Sequence, residues 1–378
     1  MKLIVAVCAL LLITGSVNAQ WTTNYTTIDS IALAIPALSA KNTSGIVKYI
    51  NSHFTKDDEK IRAAFIWTAS TLKYDVPNIN KQNPGETAQD KIKKALANHK
   101  GVCEHYALLL DDICNQLGIT SFIIQGYTRK YGRASLLAHA WCCAQVNGSW
   151  WLYDPTWAAG YVQNGQFIPR INEAFYKVSP QTMIATHMPF DKMWQLLPYP
   201  ITNKEFIDSV AITDNKRPIF YFEDSIKNWR QQTEEKRLIA VARRIEENGA
   251  NTPLVHNELN HVQMGLAFIN SNKFNASVTE FNKAVRSLND FINYRNKQFT
   301  PPKPDQTIQN MLDTADKQLK LAATYLSDIK AVGSIDNNKL SSYKKQVNDL
   351  IVKLESQKTF LNNYIIKDTQ GRKAMFEE

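Results

Sequence analysis

At Gly118 the spacing of apolar residues switches from helical to alternating, and this switch narrows the fold class more than any other feature of the chain. Upstream, Ala107, Leu110, Ile113, Cys114 and Leu117 recur at helical spacing from Cys103 to Leu117, and Gly118 stands where a helix ends on a residue of positive φ. Downstream, Ile119–Tyr127, Ala138–Val146 and Ser149–Tyr153 alternate with period two. Asn147-Gly148 joins the last two as a tight hairpin, because both residues tolerate the positive φ of that turn. Asp154-Pro155-Thr156 closes the third strand, since proline has no amide to extend a ladder. A helix packed on an antiparallel sheet makes the region α+β.

The flanks read differently. Thr55 precedes Asp57, Asp58 and Glu59, acids suited to a helix start, and Ile61, Ala64, Phe65, Thr68 and Leu72 then follow at amphipathic spacing. A second, short helix is expected from Ala88 to Ala97, after the Asn83-Pro84-Gly85 loop. Beyond Tyr161, Pro169, Pro180, Pro189, Pro198 and Pro200 indicate a segment that wraps the first domain, anchored by Trp194, Leu196 and Leu197. Helices are expected at Trp229–Asn248, Pro253–Asn270, Asn275–Gln298, Asp305–Ile329 and Ile335–Ile366, with breaks near Gly249, Asn272-Lys273 and Pro301-Pro302. Short breaks favour a bundle. Gly265, Phe268, Ala276, Phe281 and Ala284 resemble a single tetratricopeptide repeat, without a second copy. The expected division is a leader at 1–19, an α+β domain at 20–222 and a helical domain at 223–378.

Lys2, the apolar run Leu3–Ile13 and Val17-Asn18-Ala19 before Gln20 follow the order of a secretory signal peptide, cleaved near Ala19. The run is shorter than the roughly 20 apolar residues a bilayer span requires, so no transmembrane anchor is expected. The mature chain is expected to be exported, periplasmic or secreted. With 378 residues and 44% hydrophobic content, it has enough apolar material for two or three cores and is not a disordered chain. Its net charge of +9 is unaccompanied by any nucleic-acid motif, and export makes a nucleic-acid partner improbable.

Five cysteines in so long a chain are too few for a disulfide scaffold, so each needs its own account. Cys8 leaves with the leader. Cys114 falls on a core-facing helix position and Cys142 and Cys143 point to opposite faces of a strand; all three are expected to be buried free thiols, with a Cys114–Cys142 bridge left open. Cys103 differs: it lies in the first turn of a helix, where unpaired amides and the macrodipole favour a thiolate. His139 lies on the second strand and Asp154 at the end of the third, and the register set by Asn147-Gly148 brings them within reach of each other. Such a set supplies a nucleophile, a base that later protonates the leaving group, and a carboxylate that orients it. The zinc set Cys103, His105, Cys142 and Cys143 lacks a C-x2-C pair, so no metal and no cofactor are expected, and His105 reads as structural. Arg129, Lys130 and Arg133 read as a solvated hairpin that would also suit an acidic substrate.

Gly101-Val102-Cys103-Glu104-His105-Tyr106-Ala107, His139-Ala140-Trp141 and Trp151-Leu152-Tyr153-Asp154-Pro155-Thr156, in that order and separation, resemble the three catalytic motifs of the transglutaminase-like superfamily, which has a papain-like fold. Phe65-Ile66-Trp67 through Lys73-Tyr74-Asp75 resembles the lead-in of its branch related to kyphoscoliosis peptidase and cytokinesis transglutaminase-like proteins. The resemblance covers Asp57 to Tyr161. It implies Cys103 as nucleophile, His139 as general base and acid, and Asp154 as orienting carboxylate, acting on protein or peptide amides. Trp67 would be an oxyanion donor in some members, although packing is its expected role here. The superfamily holds crosslinkers, peptidases, amidases and silent members. Two readings follow: an exported thiol acyl hydrolase or transferase, or a catalytically silent adaptor that binds a protein or cell-surface partner through its C-terminal helices.

Overall fold

The computed structural model describes residues 25–79, 85–209, 217–327, 329 and 337–377, so the expected leader lies outside the described residues. Two compact units are present: residues up to Ile124 with Ala140–Ser179, and Gln125–His139 with Pro180 onward.

The first unit opens with α1 (Thr26–Leu33), α2 (Thr43–His53) and α3 (Asp57–Thr71). β1 (Lys73–Tyr74), α4 (Ala88–Asn98), β2 (Lys100–Gly101) and α5 (Cys103–Gln116) follow. The stretch read as amphipathic is α3, yet every residue from Ile61 to Ala69 is buried. A helix covered on all sides has no polar face, which is why its period is blurred in the sequence. Its first turn follows Lys56, which makes no side-chain cap. Thr87 does cap α4: its Oγ1 accepts from Asp90 N while the Asp90 carboxylate accepts from Thr87 N, each at 3.2 Å.

Within α3 sits Arg62, 1% exposed. Its guanidinium donates to both oxygens of Asp29 on α1 at 2.7 and 2.6 Å, and to both of Glu173 at 2.6 and 2.8 Å. The rings of Tyr25 and Tyr176 lie 4.4 and 4.7 Å from its central carbon. Two bidentate forks take four of the five N–H donors of the planar cation, and two π faces cover it.

The sheet contains β3 (Ser121–Lys130), β4 (Arg133–Val146), β5 (Ser149–Tyr153) and, later in the chain, a short strand at His187–Pro189. Tyr131-Gly132 and Asn147-Gly148 form its hairpin turns, with φ of 52° and 75° in the first and 52° and 78° in the second. These are the left-handed pairs that type I′ turns require. The second turn sets Val146 opposite Ser149 and Cys142 opposite Tyr153. β4 starts five residues earlier than its apolar alternation, because no side chain from Arg133 to Ala138 is fully buried and Leu136–Ala138 are exposed. In a ladder running straight from the first turn, Gln145 would face Gly118, but its N–H donates to the Thr120 carbonyl at 2.9 Å. β4 therefore carries two residues more than β3.

α6 (Pro155–Ala159) and the hairpin of β6 (Gly160–Gln163) with β7 (Gln166–Pro169) complete the first unit. Its core joins Ile61, Phe65 and Leu72 to Leu110, Ile113 and Cys114 of α5 and to Ala140, Cys142 and Ala144 of β4.

The second unit holds α7 (Pro180–Met183), β8 (His187–Pro189), α8 (Asn203–Ile207), α9 (Phe222–Gln231) and α10 (Glu234–Asn248). β8 pairs antiparallel with β3, giving the sheet order β5-β4-β3-β8. The helix expected to begin at Trp229 is two helices, because Thr233 takes the N-cap position and accepts from Lys236 N. Trp194, Leu196 and Leu197 are buried. Asp191 pairs with Arg244 of α10 through two bonds of 2.7 Å, both side chains buried.

α11 (Pro253–Asn296) corrects the sequence reading. It runs 44 residues without interruption, straight through the expected break at Asn272-Lys273. Neither residue is Gly or Pro, and an interior Asn costs a helix only about 0.7 kcal/mol, too little to end it against tertiary packing. The helix-turn-helix of a tetratricopeptide repeat is thereby excluded at Gly265–Ala284, which lies on one helix. α12 (Asp305–Ser327), α13 (Asn337–Ile365) and α14 (Thr369–Ala374) follow. The expected bundle is present. Ile308, Leu312, Ala315, Leu319, Ala322 and Leu326 alternate steps of four and three, the seam spacing of helices that cross at a shallow angle. No helix among the described residues is long and apolar enough to cross a membrane.

Arg62→Ala would leave two carboxylates facing a buried void. We expect a loss of about 3 kcal/mol in urea unfolding, against less than about 1 kcal/mol for Glu173→Gln at the exposed end of the network.

Candidate active site

Cys103 is the first residue of α5, and the chain reaches it through a short parallel ladder. Lys73 pairs with Lys100 and Tyr74 with Gly101, held by Lys73 N to His99 O at 2.9 Å and Asp75 N to Gly101 O at 3.0 Å. Gly101 is obligatory: a Cβ there would stand 2.5 Å from the His105 Cβ. His105 is close because its Nδ1 accepts from Val102 N at 3.2 Å, taking one of the amides that a helix start leaves unpaired. Burial pulls the His105 imidazole below its ordinary pKa, which keeps that lone pair available. His105 is thus structural, as expected, and its place two residues after Cys103 has a mechanical reason. Glu104 turns away to Lys91 at 2.7 Å.

Cys103 is half-buried, whereas Cys114, Cys142 and Cys143 are buried. All four are free thiols, so the Cys114–Cys142 bridge does not form. Burial pushes the three core thiols well above the ordinary range, and Cys142 donates to the Ala107 carbonyl. They are unreactive packing groups.

Asp154 is fully buried at the end of β5. Its Oδ1 accepts from Thr156 N at 2.9 Å and Trp157 N at 3.0 Å, so the carboxylate is the N-cap of α6, with Pro155 in the first helical position. Asp-Pro-Thr therefore does more than end a strand: it is a cap and a proline at N1, a signal present in the sequence. The main chain of Asp154 is fixed as well, its N–H donating to Phe175 O at 3.0 Å, two residues beyond Glu173 of the Arg62 network.

His139 is 9% exposed on β4, just before the turn-proximal stretch that pairs with β5. A second histidine accompanies it. His187, 1% exposed on β8, has its ring centroid 5.6 Å from that of His139 and its Nδ1 2.8 Å from Thr186 Oγ1. His187 was not anticipated. It is an isolated histidine in a proline-rich segment, and only the pairing of Thr128 with His187 across the sheet brings it here. Trp67 is 3% exposed in the first unit's core, in keeping with a packing role. Arg129 is not the solvated residue that its hairpin suggested: its guanidinium donates to the carbonyls of Ala185 and Phe206 and lies 4.6 Å from the Phe206 ring centroid.

The match to the family model for the transglutaminase-like superfamily spans residues 45–155. These residues form a transglutaminase-like domain. Over 168 residues the chain is 30% identical to kyphoscoliosis peptidase of Mus musculus, covering 41% of this chain and 24% of that protein. It is 24% identical over 199 residues to hillarin of Drosophila melanogaster, covering 47% of this chain and 24% of that one. The chain thus spans about a quarter of the length of these relatives. A solved structure described as a TGase covers 43% of this chain and 38% of its own at 15% identity, with a TM-score of 0.25. The match ends at Pro155, the first residue of the α6 helix that Asp154 caps.

Two measurements probe this geometry. Titration of the native protein with a disulfide reagent at pH 8 should show one fast thiol, Cys103, with the other three reacting only on unfolding; a second fast thiol would contradict the burial. Asp154→Asn keeps an acceptor for the α6 amides and should unfold within about 1 kcal/mol of the parent, whereas Asp154→Ala should lose a further 1–2 kcal/mol or so.

Proposed function

We propose that the protein is an exported cysteine-dependent acyl hydrolase or transferase acting on protein or peptide amides. The observation that carries this reading is the contrast among the cysteines: one half-buried thiol opens a helix inside the transglutaminase-like domain, while the other three are buried. A thiolate at that position is stabilised by the unpaired amides of the first turn.

In this reading Cys103 attacks the amide carbonyl, and His139 accepts the thiol proton and later delivers it to the departing amine. Asp154 orients the imidazole with a carboxylate whose direction the α6 cap has already set. The thioester is resolved by water, or by an amine if one is delivered. Hydrolysis is the simpler outcome, because water needs no second binding site. Capping costs the carboxylate none of its charge, so one group serves the fold and the chemistry together. His187, beside the same histidine, would help fix the ring plane. Export rests on the leader read at residues 1–19.

Alkylation of Cys103 by iodoacetamide across pH tests the proposal. The wild-type thiol should react at least about tenfold faster than free cysteine at pH 6 to 7. His139→Ala should remove most of that activation while leaving the unfolding midpoint in place. An ordinary titration, indifferent to His139→Ala, would sink the enzyme reading and favour the adaptor.

A further inference from the structure

We propose that the Tyr74 hydroxyl is an oxyanion donor in this reaction, sharing the carbonyl oxygen of the acyl donor with the Cys103 main-chain N–H. The inference rests on the thiol acyl-transfer reading above and adds a residue that reading does not contain. Tyr74 is placed by the ladder that delivers Cys103, since it stands opposite Gly101, two residues before the nucleophile. Main-chain bonds on both sides of it, from Lys73 and Asp75, hold the strand in register. The rings of Tyr106 and Phe167 lie 6.5 Å from its own, which fixes the ring between two aromatic neighbours.

The two tyrosines of this cluster differ in what their hydroxyls do. Tyr106 is fully buried and donates to the Leu72 carbonyl at 2.7 Å, so it is committed to the fold. Tyr74 is half-buried, and no described residue takes a hydrogen bond from its hydroxyl. Burial, with the negative charges that Cys103 and Asp154 can carry, holds the phenol well above its ordinary pKa. It therefore stays an O–H donor across the working pH range. A donor with a fixed ring, a retained proton and no other acceptor is what a developing oxyanion requires.

The step balances without a proton on the oxygen. As the Cys103 sulfur bonds to the carbonyl carbon, the π pair moves onto oxygen, which accepts from Cys103 N–H and Tyr74 O–H. Collapse re-forms the carbonyl and breaks the C–N bond, and the amine leaves with the proton held by His139. Tyr74 keeps its own proton throughout.

Tyr74→Phe isolates the hydroxyl, because the ring and its packing remain. Iodoacetamide reacts by displacement and builds no oxyanion, whereas propionaldehyde adds to the thiol through a tetrahedral adduct whose oxygen would face the proposed donors. Protection of Cys103 by propionaldehyde against iodoacetamide should weaken by about tenfold or more in Tyr74→Phe, with the iodoacetamide rate and its pH profile within about twofold of wild type. Unchanged protection would overturn the assignment and leave the thiol reading standing. A slowed iodoacetamide reaction with equal loss of protection would also overturn it, by showing that the hydroxyl acts on the thiolate and not on the oxygen. If wild-type Cys103 titrates as an ordinary thiol, both proposals fall together, and the His139→Ala control tells that case apart.

Discussion

A buried guanidinium holds the transglutaminase-like domain in register. Arg62 projects from a helix with no exposed face, and its two carboxylate partners come from α1 and from the loop at Glu173. Removing a full charge from water costs several kcal/mol unless every donor is met, so the cation tolerates few arrangements of the elements around it. The consequence reaches the site. The Glu173 loop carries Phe175, whose carbonyl takes the Asp154 amide, and Val178, which exchanges main-chain bonds of 2.9 and 2.8 Å with Leu152 on the outer edge of β5. The strand that ends in Asp154 is thereby clasped on both sides.

The start of α5 shows the same economy at shorter range. Gly101 is small because His105 must approach, His105 is neutral because it must accept the Val102 amide, and the amide must be met because a helix begins there. Each residue of Gly-Val-Cys-Glu-His thus has a reason that does not invoke the chemistry of Cys103. A reactive thiol needs a helix start whose other amides are already under control, and the motif supplies one. Asp154 repeats the pattern at α6, where one carboxylate oxygen satisfies two amides.

Much of this was visible in one dimension. The helix from Cys103, the hairpin at Asn147-Gly148, the strand ending at Tyr153 and the spacing of α12 and α13 all follow from signals that act within a few residues, and they appear where expected. Errors arose where a local signal met packing. Asn272-Lys273 reads as a break but is carried through by a 44-residue helix, and Trp229–Asn248 reads as one helix but is divided at Thr233. Arg129 reads as a solvated hairpin charge, yet the carbonyls of Ala185 and Phe206 lie within its reach.

The sequence by itself determined the α+β order and the register of the β4–β5 hairpin, and it is the source of the proposal that Cys103, His139 and Asp154 carry the chemistry. Turn type, period and helix caps are encoded by neighbours, so a linear reading recovers them. Only the tertiary structure decided that Arg62 would meet Glu173 across 111 residues, that His187 would join His139, and that Tyr106 would give its hydroxyl to the fold while that of Tyr74 bonds to no described residue. Those pairings depend on which surfaces the folded chain brings together. No spacing along the chain records them, because the free energy that selects them comes from burial and charge satisfaction between elements far apart in sequence.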